Sequence, residues 1–131
     1  MSNAAAGPLA AIESGRYISL ATFRKSGEPV LTPVEFVTRE GAIYVRTGAV
    51  SGKVKRLRRN PRVRVAACTM RGRTTGPPFD GVAALLSDAE MQVLYALFAQ
   101  KYGVLFRLGS MLRRRPMIGL RIMPDGQPPA A

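Results

Sequence analysis

The chain has 131 residues, 47% of them hydrophobic, with a net charge of +12 and no histidine. That length and apolar content suit one domain with a packed core and exclude a disordered chain. The missing histidine excludes His-based metal sites, Ser–His triads and His acid–base catalysis. The charge favours an anionic partner but does not choose among nucleic acid, acidic membrane and small polyanions. The single cysteine, Cys68, cannot form an internal disulfide, and no apolar run approaches the ~20 residues of a membrane span. The opening MSNAAAGPLAAI lacks a basic n-region and a strong apolar core, so no signal peptide is expected and the cytoplasm is the default. The scattered acids show no metal-loop spacing, and neither a Walker A nor a G-x-G-x-x-G pattern is present. An enzyme built from these residues would leave the hard chemistry to a cofactor.

In chain order, residues 1–8 read as a tail and residues 9–14 as a short helical turn. RYISLATFR (16–24) is rich in β-branched and aromatic residues and predicts a strand. KSGE turns the chain, VLTPVEFV (30–37) predicts a second strand, and Glu40-Gly41 turns into a third over 42–47. Together these form an antiparallel meander. Pro33 interrupts the second strand, because proline cannot donate to a ladder. Its position is an edge, a bulge, or a place where something other than a strand lies alongside.

Ser51 can cap a helix running to about Asn60, with Val50, Val54 and Leu57 as its apolar stripe and Pro61 as its stop. RVRVAACTM (62–70) alternates and then turns continuously apolar or small, as a strand solvated at one end and buried at the other. RGRTTGPP is a loop and FDGVAALL (79–86) a fifth strand. Ser87-Asp88-Ala89-Glu90 is a capping-box sequence. The helix it opens sets Met91, Leu94, Tyr95, Phe98 and Tyr102 on one face and ends near Gly103. VLFRLGSMLRRR (104–115) suits a further helix, PMIGLRIM (116–123) a last strand, and 124–131 a tail. Six strands with few helices are most economically arranged as a small antiparallel barrel, because closure removes exposed edges.

Seven of the twelve residues from Lys53 to Arg64 are Lys or Arg. Three readings compete for them. As a plain surface, they form the solvated face of an amphipathic helix, which covers Arg58, Arg59, Arg62 and Arg64 well. As a nucleic-acid site they would contact phosphates, but interleaved aromatics for stacking are missing and no DNA-binding fold frames them, so this partner is disfavoured. As a phosphate clamp, Thr47 and Ser51 supply hydroxyls, Gly52 admits a ligand close to the backbone, and Lys53 adds a cation at a helix N-terminus. The helix dipole contributes only ~0.3–1 kcal/mol, so charge-assisted hydrogen bonds of roughly 1.5–3 kcal/mol each must do most of the holding.

YISLATFRKSGEPVLTPVEF, IYVRTGAVSGKVKRLRRNPRVRVAAC and RGRTTGPPFDGVAALL resemble the split β-barrel flavin and deazaflavin oxidoreductases, relatives of pyridoxamine 5′-phosphate oxidase. The resemblance spans about residues 13–123. It is nearest to the small branch that uses coenzyme F420, a deazaflavin with a phosphate and an acidic oligoglutamate tail. It implies a mainly β, α+β split barrel and a homodimer with the cofactor in a groove between subunits. It places Lys53 at the phosphate-binding lysine, Lys55 at a neighbouring basic position, and Ser51 and Thr47 around the same phosphate. Thr32, Pro33 and Val34 fall on the segment against the tricyclic ring, which offers a reason for Pro33. Cys68, Thr69 and Met70 fall on a strand lining the other side of the pocket, and Arg71 and Arg73 could meet the acidic tail. Some deazaflavin-binding relatives carry an arginine where this chain has Ser51, so flavin mononucleotide (FMN) stands as the alternative cofactor. A non-catalytic carrier of a cofactor or tetrapyrrole-like ligand stands as the alternative function. For a proton donor, Tyr17, Tyr44, Arg46 and water are equal candidates, and Cys68 in an apolar strand is a poor nucleophile.

Overall fold

The structure is a computed structural model, and it describes residues 7–103 and 116–127. A 3-10 turn, Pro8–Ala11, leads into β1 (Tyr17–Phe23), β2 (Pro29–Arg39) and β3 (Ala42–Gly48). Helix α1 (Gly52–Arg59), β4 (Arg62–Cys68), β5 (Phe79–Leu85), α2 (Asp88–Tyr102) and β6 (Met117–Pro124) follow. The strands close an antiparallel barrel in the order β1-β2-β3-β6-β5-β4. The helix expected over 104–115 lies outside the described residues.

The local chemistry explains the elements. Glu40 and Gly41 have φ of 51° and 81°, as a two-residue hairpin turn requires, and they join Arg39 to its partner Ala42. Gly27, at φ 89°, turns β1 into β2. The capping box of α2 is complete: Ser87 Oγ accepts from the Glu90 N–H at 3.3 Å, and the Glu90 carboxylate accepts from the Ser87 N–H at 2.9 Å. Gly103, at φ 77°, ends that helix.

Ile18, Leu20, Phe36, Ile43, Val45, Val63, Val65, Leu120 and Ile122 fill the barrel. Burying a side chain of this kind contributes about 1.5–3 kcal/mol. A second cluster, with Val37, Leu86, Leu94 and Phe98 at its centre, seats α2 on the outside. Gly119 makes that seat possible, since a Cβ there would lie 2.6 Å from Leu86 Cδ1 and Met91 Sδ. Helix α1 presses Val54 and Leu57 inward at the end of the barrel where β1 finishes, and Arg56 Nε donates to Thr22 Oγ1 at 2.7 Å.

Three expectations need correction. Val50 is 83% exposed and is not on the stripe of α1, because the chain reaches the helix through a turn closed by Ser51 N–H to the Gly48 carbonyl. The strand over 62–70 ends at Cys68, since Thr69 and Gly72 close a tight turn that leaves Met70 exposed. Residues 124–127 are held rather than trailing. Pro124 pairs with Gly81, Asp125 accepts from the Arg62 guanidinium, and Gln127 Oε1 accepts from the Leu9 N–H at 3.0 Å.

Candidate functional site: a split between two strands

Strand β2 pairs with β1 over Pro29–Glu35, but with β3 only over Phe36–Arg39. Beyond Phe36 the two strands part, while β3 continues along β6 to the Gly48–Met117 pair. A cleft of about 280 Å³ occupies the gap, with walls from Pro33, Val34 and Glu35 on one side and Arg46, Thr47 and Gly48 on the other. Tyr17, Met117 and Phe98 complete it.

The register answers the question raised by Pro33. Arg39 and Ala42 flank a two-residue turn, so their backbone groups face each other. Counting back in twos, Val37, Glu35 and Pro33 turn their backbone the same way, toward β3. The missing N–H of Pro33 therefore falls on the split, and the ladder to β1 loses nothing. The turn at residues 69–73 lies close by: a Cβ on Gly72 would sit 3.8 Å from the Pro33 ring.

At the lower end of the cleft, β3 runs into α1. Ser51 is the N-cap residue by position, with extended backbone, but its side chain makes no capping bond. The Ser51 hydroxyl is buried and has no hydrogen-bond partner, and among the described residues it is the only such buried side-chain atom. An unsatisfied buried hydroxyl costs about 1–3 kcal/mol, so it marks a place where a partner is expected. Thr47 is buried one turn upstream and Gly52 opens the helix with its backbone exposed.

Lys53 is half-buried, and its ammonium is destabilised first by burial and then by the Arg56 charge, which lowers its pKa. Arg56 is likewise lowered by burial and then by Arg24 and Arg59. Its guanidinium folds back over the helix start, where a Cβ on Gly52 would lie 2.8 Å from Nη1. Among the described residues, none of Lys53, Lys55, Arg56, Arg58 and Arg59 forms an ion pair. The helix start thus concentrates positive charge without a counterion. Sequence reasoning missed Arg56, because its return to Gly52 depends on its tether to Thr22, 34 residues away.

The structure brings Pro33, Val34 and Thr47 together on the cleft. Thr32 is half-buried and pairs with Leu20, which sets it on the inward face. Lys55 is exposed on α1. Cys68 is buried at the end of β4 opposite Tyr17, and burial raises its thiol pKa, as a poor nucleophile should show. Arg71 and Arg73 are exposed on the turn beside Pro33. Among the described residues no cluster of metal-ligating side chains occurs, and no helix is long and apolar enough to cross a membrane.

The profile of the pyridoxamine 5′-phosphate oxidase family matches residues 9–123. The chain belongs to this family. No curated protein matches it by sequence. Among solved structures, a conserved hypothetical protein from Mycobacterium tuberculosis is 26% identical, with 95% of this chain and 81% of that one aligned at a TM-score of 0.67. An F420 reductase is 17% identical, with 91% and 94% aligned at 0.63. A heme storage protein from Vibrio cholerae is 21% identical, with 84% and 82% aligned at 0.64. The six-stranded barrel with its parted strands is the split barrel of this family.

Proposed function

We propose that this protein is a cytoplasmic, homodimeric oxidoreductase that binds reduced F420 and delivers a hydride to a small unsaturated organic acceptor. The observation that carries the reading is the buried Ser51 hydroxyl, without a hydrogen-bond partner among the described residues, at a cationic helix start three residues beyond Gly48 on the wall of the cleft. A phosphate would satisfy the hydroxyl and offset the crowding of Lys53 and Arg56. A planar ring fits against Pro33 and Val34, where no strand competes for the space. Thr47 lines the cleft, Gly52 and Lys55 lie on the first turn of α1, Thr32 faces inward next to Pro33, Cys68 stands across β1, and Arg71 lies on the turn beside Pro33. The deazaflavin supplies the hydride when bound. The protein supplies placement, exclusion of water and positive charge. The likeness to an F420 reductase agrees with this reading.

FMN is the nearest alternative, because it also joins a ring to a phosphate. A carrier without turnover is the second, and the likeness to a heme storage protein favours it. Titrating the purified protein with F420, FMN and heme, each followed by its own absorbance or fluorescence, separates the three. Consumption of reduced F420 with a panel of acceptors then distinguishes enzyme from carrier. Failure of F420 to bind at micromolar concentration rejects the leading reading.

A further inference from the structure

The C-terminal turn of α2 grips the barrel in a way that the site above does not use. Tyr102 Oη accepts the Phe36 N–H at 3.0 Å, and its hydrogen can go to the Phe36 carbonyl at 2.7 Å or the Arg16 carbonyl at 2.9 Å. Lys101 Nζ donates to the same Phe36 carbonyl at 2.8 Å and lies 3.6 Å from the centre of the Phe36 ring. Phe36 is the last residue of β2 paired with β3. The register turns the backbone of Phe36 toward β1, so two consecutive side chains of a helix take the place of β1 just past its Tyr17–Glu35 pair, level with the point where β3 leaves β2. One turn earlier on the helix, Phe98 stacks on Tyr102 at 5.4 Å between ring centres and forms a wall of the cleft, with the Arg46 guanidinium 5.9 Å away.

We propose that Lys101 and Tyr102 are positioning residues: together they latch α2 to Phe36 and, through Phe98, set the width of the cleft. The latch is sensitive to pH. Lys101 is held at about 8, first by burial of its ammonium and then by Arg16, with Glu35 opposing; Glu13 lies on the groove beyond it. Tyr102 is pushed up to about 12, mainly by burial, with Arg16, Glu35 and Tyr17 around it. A lysine whose docked value is below its free value docks better as pH rises from 8 toward 10.5. A tyrosine whose docked value is above its free value docks worse as pH rises from 10 toward 12. The Lys101 contact therefore strengthens as pH rises from about 8 toward 10, above which the tyrosine opposes it. The effect is smaller than full burial would give, because much of the Lys101 side chain is exposed to solvent.

The test is amide hydrogen exchange on the full-length protein, corrected for intrinsic rates, at pH 7, 8 and 9, beside FMN affinity measured by flavin fluorescence. In the native protein, protection of residues 97–102 and of the Phe36 amide rises about threefold or more from pH 7 to 9. Lys101→Met, which has no donor for the Phe36 carbonyl, loses both protection and the pH response, and Lys101→Arg, charged at every pH, shows no rise between pH 7 and 9. Tyr102→Phe loses protection throughout; should it not fold, the Met and Arg pair decides. A pH response in Lys101→Met equal to the native one overturns the latch, as does Tyr102→Phe as protected as the native chain. The claim on the cleft rests on the ring-binding reading, and FMN affinity that ignores variants with altered exchange overturns it. FMN binding to none of the proteins rejects the ring-binding reading for flavins, whereas the exchange pattern still decides the latch.

Discussion

Ser51 carries the most information of any single residue in the site. Its hydroxyl has no partner among the described residues, so Ser51→Ala removes a penalty without removing a bond. The expected outcome is a ligand-free protein as stable as the native one or more stable by about 1 kcal/mol, with phosphate-bearing cofactor bound about tenfold more weakly. Thermal unfolding with and without cofactor measures both. Lys53→Ala tests the charge: cofactor binding is expected to fall by about 1.5–3 kcal/mol with the fold retained. Arg59→Ala is the control, because its guanidinium is occupied by the Phe23 carbonyl at 3.1 Å and is exposed, and titration calorimetry should find its affinity close to native. The sequence places Ser51, Gly52 and Lys53 together through a strand followed by a helix start. It does not show that the serine forgoes its cap, because that depends on where the Gly48–Ser51 turn aims the hydroxyl.

Elements whose signals are local were readable in advance. The Glu40-Gly41 turn, the alternation of β4 and the capping box of α2 are each written in a few adjacent residues. The capping box leads to a pH prediction. The Glu90 carboxyl is held below the usual range, chiefly by the Ser87 N–H and hydroxyl and also by Arg121. A carboxyl lowered on folding stabilises the protein at neutral pH, and that contribution is lost as pH falls through its folded value. Urea unfolding from pH 7 down to pH 3 should show a steeper acid loss for the native protein than for Glu90→Gln, with Ser87→Ala costing about 1 kcal/mol at pH 7. The latch at Phe36 was not readable, because Tyr102 and Phe36 are 66 residues apart and tyrosine on an apolar helix face looks like ordinary core.

At the scale of the whole molecule, closure of the barrel depends on β3 pairing with β6, from Gly48–Met117 to Ile43–Ile122, about 70 residues or more downstream in the chain. No neighbouring-residue pattern announces that pairing; six strands in a short chain only make closure economical. The cleft follows from it, since β3 can leave β2 only because β6 takes over its backbone. The net charge of +12 acts at this scale as well. It should favour F420, with its acidic tail, over FMN at low ionic strength. The preference should shrink as salt shortens the screening length from ~30 Å at 0.01 M to ~8 Å at 0.15 M. Parallel titrations of the two cofactors at those concentrations measure it, and a preference unaffected by salt would place its origin in the ring rather than the tail.

The parting of β2 from β3 also creates a hazard. A strand that lacks a neighbour on one flank offers its backbone as a template to a foreign chain, and natural sheets blunt such templates with proline. Pro33 sits on that open flank with no N–H to give. Pro33→Val would restore a donor and a β-forming side chain at the mouth of the split. Light scattering at 37 °C should then show fibrillar self-association that the native protein resists, so the residue that keeps the cleft open also keeps the protein from seeding itself.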